Sequence, residues 1–164
     1  MTTGAVAKKI KLDKIDRKIL SDLQDNGRMT NVELADRSGI SAPPCLRRVR
    51  ALEDNKIILG YHANLNGPKL GFGVECFTTV RLKDQSESDL RAFEKTMAAC
   101  DNVREIYIIS GDYDYMLRVV AADWEDYQNF LSEKLTKIAN VSSVKSSITV
   151  KTIKYQPGVP LSVE

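Results

Sequence analysis

The chain has 164 residues, of which 43% are hydrophobic and 28% are charged, and its formal net charge is +2. These proportions are ordinary for a globular protein and exclude the disordered, collagen-like and fibrous classes. No apolar run approaches the ~20 residues that cross a bilayer, and no apolar leader segment follows Met1, so we expect a cytoplasmic protein of one or two domains that does not enter membranes.

A first helix is predicted by apolar residues that recur at steps of three and four: Leu12, Ile15, Ile19 and Leu23. Asp13 is placed to cap this helix, and Asn26-Gly27 is placed to stop it. A second, short helix is predicted to open at Thr30, because Glu33 completes the spacing of a capping box, and to end at Ser38-Gly39.

A third helix is predicted from Ser41 to about Asn55. Serine suits the capping position, and prolines are tolerated in a first turn because the amides there lack helical partners. The apolar side of this helix would dock on the first helix and consists of Cys45, Val49 and Leu52. The other side carries Arg47, Arg48 and Arg50.

Two short helices joined by a tight glycine turn form the pattern of a helix-turn-helix. Guanidinium groups pair with phosphates and with guanine edges, so the third helix is predicted to enter the major groove of DNA. The alternative is a solvated surface helix that carries arginine for solubility. The capped helix and the Gly39 turn that precede it favour the DNA-binding interpretation. Residues 1–62 carry +4 and residues 63–164 carry −2, which suggests a polyanion partner for the first part only.

The next segment, 57–65, is rich in β-forming residues and is predicted to be a wing strand or a linker strand. Asn66-Gly67-Pro68 and Gly71-Phe72-Gly73 then interrupt the pattern. We therefore predict a DNA-binding domain at 12–63, a linker at 64–73 and a second domain at 74–156.

The second domain is predicted to be βαββαβ, the ferredoxin-like order, which makes the whole chain an α+β protein. Its strands are predicted at 74–82, 103–109, 113–121 and 144–153. Its helices are predicted after Ser86 and after Asp123, the latter with an apolar face of Trp124, Tyr127, Leu131, Leu135 and Ile138. Both helices would cover one face of the sheet. Phe77, Tyr107 and Ile109 on the other face are too apolar for water, which predicts a partner subunit.

Catalytic and metal chemistry have little support in the composition. His62 is the only histidine, and Cys45, Cys76 and Cys100 are widely spaced. These residues form no metal-ligand spacing and no nucleophile–base arrangement, so we expect no catalytic residues, no metal and no enzyme. The odd cysteine count fits a reducing compartment.

Several motifs together resemble the Lrp/AsnC family of leucine-responsive, or feast/famine, regulators. The first half carries Leu12-Asp13-Lys14-Ile15-Asp16, Asp25-Asn26-Gly27-Arg28 and Ser41-Ala42-Pro43-Pro44-Cys45-Leu46-Arg47-Arg48-Val49. Ile58-Leu59-Gly60-Tyr61 is similar to the linker strand of that family, and Ser110-Gly111-Asp112-Tyr113-Asp114-Tyr115 to its effector hairpin. One departure is Ala42-Pro43, where Pro-Thr is frequent in the family.

The resemblance implies a transcriptional regulator that binds double-stranded DNA and an amino-acid effector, with no other cofactor. It implies dimers that associate into octamers or larger rings, with the amino acid bound between dimers. The expected DNA-contacting set is Asn31, Ser41, Pro43, Pro44, Arg47, Arg48 and Arg50. The expected effector set is Ile108, Ser110, Gly111, Asp112, Tyr113, Asp114, Trp124, Ile148 and Thr149.

The effector hairpin suits a zwitterion. Backbone amides at Gly111-Asp112 could bind a carboxylate, and Asp112 or Asp114 could bind an ammonium group. The alternative is a plain hairpin turn, since glycine and aspartate are favoured there. At the level of the whole chain, two further alternatives stay open: an amino-acid-metabolising enzyme on a ferredoxin-like domain, and an architectural DNA-compacting protein without an effector.

Overall fold

The computed structural model describes residues 11–162, which divide into two compact units. One unit contains 11–64 together with 155–162, and the other contains Leu65–Lys154. The end of the chain therefore packs with the first unit, whereas the second domain was predicted to run to residue 156. In the described residues, no helix has the length and apolar character that a bilayer crossing requires.

The first unit consists of α1 (Lys14–Asp25), α2 (Asn31–Ser38) and α3 (Ala42–Asp54). Both predicted capping boxes form: Asp13 exchanges backbone and side-chain hydrogen bonds with Asp16, and Thr30 does so with Glu33. The turn between α2 and α3 passes through Gly39 at φ +68°. The predicted helix-turn-helix is thus confirmed, and its six buried apolar side chains are Ile19, Leu20, Leu34, Ala35, Cys45 and Leu52.

A buried carboxylate joins α1 to α2. Asp22 is 1% exposed, and its Oδ1 accepts hydrogen bonds from Arg37 Nη2 at 2.6 Å and from Lys18 Nζ at 2.8 Å. The Arg37 guanidinium, followed by Lys18, holds the pKa of Asp22 below its usual range despite the cost of burial. The ion pair fixes the angle at which α2 leaves the first helix.

The segment after α3 differs from the prediction. Ile57 and Ile58 pack against the helical core, but Leu59 is 88% exposed and no strand forms at 57–65. A strand requires a neighbour for its backbone amides and carbonyls, and this segment pairs with no strand among residues 11–162.

The second unit is a four-stranded antiparallel sheet in the order β2-β3-β1-β4. Its elements are β1 (Val74–Leu82), α4 (Glu87–Ala98), β2 (Val103–Ile108), β3 (Tyr115–Ala121), α5 (Trp124–Asn129) and β4 (Val141–Ile148). A short 3₁₀ helix at Pro68–Leu70 precedes β1. Alternate residues of β1 and β3 face the helices and are buried: Cys76, Thr78, Val80, Leu82, Tyr115, Leu117, Val119 and Ala121. The predicted ferredoxin-like α+β order is confirmed.

Two elements depart from their predicted bounds. The predicted helix after Asp123 is α5 followed by a π-helical turn at Phe130–Leu135. The wider turn changes the register of the residues that follow α5, and Phe130 is buried there. Trp124, the first residue of α5, is 46% exposed. β4 begins at Val141, before the predicted 144, because it continues pairing with β1 across a bulge near Leu82. It ends at Ile148, before the predicted 153, because β1 begins at Val74 and offers little more to pair with.

The sheet face away from the helices mixes apolar and charged side chains. Phe77 and Tyr107 are 36% and 45% exposed on this face. Between them, Arg118 donates to Glu75 and to Glu105, each at 2.8 Å. No helix of the second unit covers these side chains in the part of the chain that is described.

We expect Asp22→Asn to lower the free energy of unfolding by about 1–2 kcal/mol, because the amide loses the charge of two buried hydrogen bonds. Asp25→Asn on the exposed side of α1 is the control and should leave stability unchanged. Because folding lowers the pKa of Asp22, its contribution is full above about pH 4 and is lost as pH falls through the folded-state pKa. Chemical denaturation against pH should show the two proteins converging in acid, and equal stability at pH 7 would contradict the assignment.

Candidate functional sites

The outward side of α3 is the candidate nucleic-acid surface. Arg47 and Arg50 are exposed on the helix whose other side buries Cys45 and Leu52. Neither arginine forms an ion pair within residues 11–162. Their guanidinium groups therefore remain available for an external anion or a base edge.

The first turn of α3 has fewer hydrogen-bond donors than the first turn of an ordinary helix. Ser41 occupies the capping position as predicted, but its side chain makes no capping hydrogen bond. Pro43 and Pro44 have no backbone N–H, so the first turn offers an outside anion fewer amides than an ordinary helix does. The Ser41 hydroxyl and the Ala42 amide are what this end of the helix can present.

Arg48 is engaged inside the domain, in contrast to Arg47 and Arg50. Its Nη1 donates to Asp16 Oδ1 at 2.7 Å and to Asp13 Oδ2 at 2.8 Å. Both carboxylates raise the pKa of the Arg48 guanidinium, and Asp16 has the larger effect. The side chain thus fastens α3 to the beginning of α1.

Asn31 likewise makes an internal contact. Its Nδ2 donates to the carbonyl oxygen of Ala42 at 2.8 Å, which ties the beginning of α2 to the beginning of α3. Its Oδ1 is buried and has no hydrogen-bond partner in the described residues. Like Arg48, Asn31 therefore helps to hold α3 in place.

Tyr61, which the sequence analysis did not single out, attaches the segment after α3 to the helices. Its hydroxyl donates to Glu53 Oε1 at 2.9 Å, and its ring lies beside Gly27. Burial, together with the Glu53 carboxylate, raises the pKa of Tyr61 to about 12. On α3 itself, burial raises the pKa of the Cys45 thiol.

The second candidate site is the turn between β2 and β3. The Ile109 amide donates to the carbonyl of Asp114 at 3.0 Å and closes this turn. Both oxygens of the Asp114 carboxylate accept internal hydrogen bonds: Oδ2 accepts from the Leu82 amide and Oδ1 from Gln85 Nε2, both at 2.7 Å. Asp112 is exposed at the tip of the turn. Of the two aspartates considered for an ammonium group, only Asp112 presents a carboxylate without such internal hydrogen bonds in the described residues.

A shallow hollow of about 170 Å³ lies beside this turn. It is lined by Gln85, Leu90, Ile108, Ile109, Asp114 and Tyr115. Gln85 and Leu90 were missed because they lie some twenty to thirty residues before the turn, and only the antiparallel pairing of β1 with β3 brings them near it. No local signal in the sequence marks them.

The predicted effector residues fall into two groups at opposite ends of the sheet. Ile108 on β2 pairs with Tyr115 on β3, and Tyr115 pairs in turn with Val80 near one end of β1. The turn between β2 and β3 therefore lies at this end of the sheet. Ile148 lies opposite Cys76 near the other end of β1, where Thr149 follows and Trp124 begins α5. About 13 Å separates the two positions on β1 at the usual rise per residue. One chain therefore does not bring the two groups into one site.

Metal binding has no candidate in the structure. Within residues 11–162, no three histidine, cysteine, aspartate or glutamate side chains are grouped so that they could hold an ion.

Comparisons with known proteins identify both domains. Residues 12–58 match a family model described as winged helix-turn-helix DNA-binding, and residues 75–159 match one described as the Lrp/AsnC ligand binding domain. A leucine-responsive regulatory protein from Rhizobium meliloti is 48% identical over 89% of this chain and 94% of its own length. A Bkd operon transcriptional regulator from Pseudomonas aeruginosa is 40% identical over 92% and 98%.

Solved structures of related regulators are also similar to this chain. A transcriptional regulator from Neisseria meningitidis, crystallised as a complex with L-Met, superposes with a TM-score of 0.88 at 34% identity. The superposition covers 92% of this chain and 97% of that protein. Escherichia coli AsnC superposes with a TM-score of 0.83 at 27% identity.

We expect Arg48→Met to lower the Tm of the three-helix unit by about 3 °C, because the loss of two ion pairs loosens α3 from α1. Arg47→Met, which breaks no internal ion pair in the described structure, is the matched control and should leave Tm unchanged. Thermal unfolding followed by circular dichroism measures both variants. Equal Tm values for the two would show that Arg48 does not hold the helix.

Proposed function

Because the chain belongs to the Lrp/AsnC family of DNA-binding transcriptional regulators, we propose that α3 reads double-stranded DNA and that the second unit binds an amino acid. The proposal that α3 reads DNA rests on one observation, which is that the arginines of α3 have different roles. Arg48 is bound to Asp13 and Asp16, while Arg47 and Arg50 extend outward from the same rigid helix. Enzymatic function is set aside, since the relatives are transcriptional regulators.

In this proposal α3 lies in the major groove. Arg47 and Arg50 are three residues apart and share one side of the helix, so they can approach base edges and phosphates together. Ser41, Pro43 and Pro44 would lie beside the sugar-phosphate backbone at the helix start, where the Ser41 hydroxyl supplies a donor. Asn31 and Arg48 support the interface by holding α3 in place.

The amino acid would bind at the turn between β2 and β3. Asp112 would bind the ammonium group, and the amides of the turn, with Ser110 and Tyr113 around them, would bind the carboxylate. The apolar side chains of Ile108 and Leu90 beside the turn favour an aliphatic or thioether side chain. L-Met in the Neisseria meningitidis complex and the name of the Rhizobium meliloti relative support this class of ligand.

A second copy would complete this site. Trp124, Ile148 and Thr149 lie too far from the turn within one chain, so we propose that they approach it from a neighbouring subunit. The apolar side chains Phe77 and Tyr107 on the open sheet face favour a homodimer, and dimers would assemble further into octamers. We propose a cytoplasmic location, in keeping with DNA as the partner, and no cofactor besides the effector.

We expect Arg47→Ala to weaken binding to operator DNA by about 1–3 kcal/mol, because one guanidinium contact to a base edge or phosphate is lost. Arg91→Ala on α4 is the control and should bind like the wild type. Fluorescence anisotropy at fixed salt, with promoter DNA and with random DNA, measures the effect. Wild-type affinity for the promoter in the Arg47 variant would overturn the groove assignment.

We expect Asp112→Asn to weaken binding of L-leucine or L-methionine about tenfold, since the amide cannot form an ion pair with the ammonium group. Asp101→Asn, at an exposed position just before β2, should leave the affinity unchanged. Titration calorimetry measures both variants. The amino-acid proposal would be refuted by a wild-type protein that binds none of the common amino acids.

A further inference from the structure

The end of the chain is fastened to α1 by a side-chain amide. Gln24 Nε2 donates to the carbonyl of Val159 at 3.0 Å, and the Val159 amide donates back to Gln24 Oε1 at 2.8 Å. The glutamine thus pairs with one residue of the tail in the way that a neighbouring strand would. Leu161, two residues later, is half-buried against the apolar core of the three-helix unit.

This attachment requires glycine at the position before Val159. Gly158 has φ +96°, a conformation that other residues rarely adopt. A Cβ atom built on it would lie 2.0 Å from Gln24 Oε1. Any side chain at 158 must therefore displace either Gln24 or the tail.

The tail reaches this point from the end of the sheet. The Thr149 amide donates to the carbonyl of Glu75 at 2.9 Å, beyond the last paired residue of β4. The side chains that follow extend into solvent: Val150 is 96% exposed, Ile153 83% and Tyr155 66%. Residues 150–158, which we call the strap, connect Thr149 to the tail residue that Gln24 binds.

We propose that this strap is a second connection, besides the linker after α3, through which the ligand-binding domain acts on the DNA-binding domain. The docking surface on α1 around Gln24 takes the C-terminal segment of the chain as its partner. The inference rests on the proposed function, because the strap begins directly after Ile148 and Thr149, which that proposal places at the amino-acid site. At the other end of α1, Asp13 and Asp16 bind Arg48 of α3, so the helix that takes the tail is also the helix that holds the recognition helix.

The attachment is suited to a reversible role. It consists of two hydrogen bonds between solvent-exposed groups and one half-buried leucine, so it can open without unfolding of either unit. A ligand that favours one arrangement of the end of β4 would change the fraction of molecules in which the tail is docked.

The test combines Gly158→Ala with Gln24→Ala in the full-length protein. Gly158→Ala should release the tail and increase hydrogen exchange of the Val159 amide, which donates to Gln24 Oε1 in the docked state. Its effect should shrink in the Gln24→Ala background, because the atom that a Cβ would strike is gone. Gly71→Ala is the matched control, since Gly71 also has a positive φ (+88°) but a Cβ there would meet nothing within 4 Å.

The functional measurement is the ratio of operator Kd values with and without L-leucine or L-methionine. We expect this ratio to move toward one in the Gly158→Ala and Gln24→Ala variants, while calorimetry shows unchanged binding of the amino acid. An unchanged ratio in both variants, despite faster exchange of the Val159 amide, overturns the strap. Unchanged exchange overturns it as well.

Failure of the proposed function has a different signature. If no amino acid alters operator binding by the wild type, the effector proposal fails. The strap is then judged on ligand-free protein: a change in operator affinity on release of the tail supports a connection to α3, and unchanged affinity overturns it.

Discussion

The function of the DNA-binding domain depends on how one helix is held. Cys45 and Leu52 bury one side of α3 against α1 and α2, and an ion pair from Arg48 to the beginning of α1 fixes its rotation. The side of α3 opposite Cys45 and Leu52 therefore faces solvent, and Arg47 and Arg50 extend from it on a helix whose orientation is fixed. Contacts to DNA then lose little conformational entropy in the backbone that carries them.

Two features of the second domain support the proposal that it works as part of an assembly. The helices leave one sheet face with half-exposed aromatic side chains, and the residues expected to respond to an effector lie at opposite ends of the sheet. The assembly that we propose would account for both features, because another copy would cover the face and bring the second group of residues to the turn. Ligand binding and assembly are coupled in such an arrangement, because a site shared between subunits binds best in the state that brings them together.

Local signals predicted much of this structure, and long-range contacts account for the rest. The caps at Asp13 and Thr30 are determined within four residues, so the helix starts were predictable from the sequence alone. The internal roles of Arg48 and Asp114 were not, because their partners lie about thirty residues away and only the folded chain brings them together. Arginines that look equivalent on a helical wheel thereby acquire different roles.

The end of the fourth strand illustrates a related limit. The alternation that predicts a strand continues past Ile148, but a ladder ends where its neighbour ends. The tail pairs instead with the side chain of Gln24, a contact that no periodicity of either segment indicates.

The burial of Cys45 has a further consequence. The thiol is fully buried, and burial raises its pKa, so the rate of its alkylation reports how often α3 separates from α1 and α2. Cys76, buried in the core of the second domain, reports in the same way on that domain once the partly exposed Cys100 has been replaced.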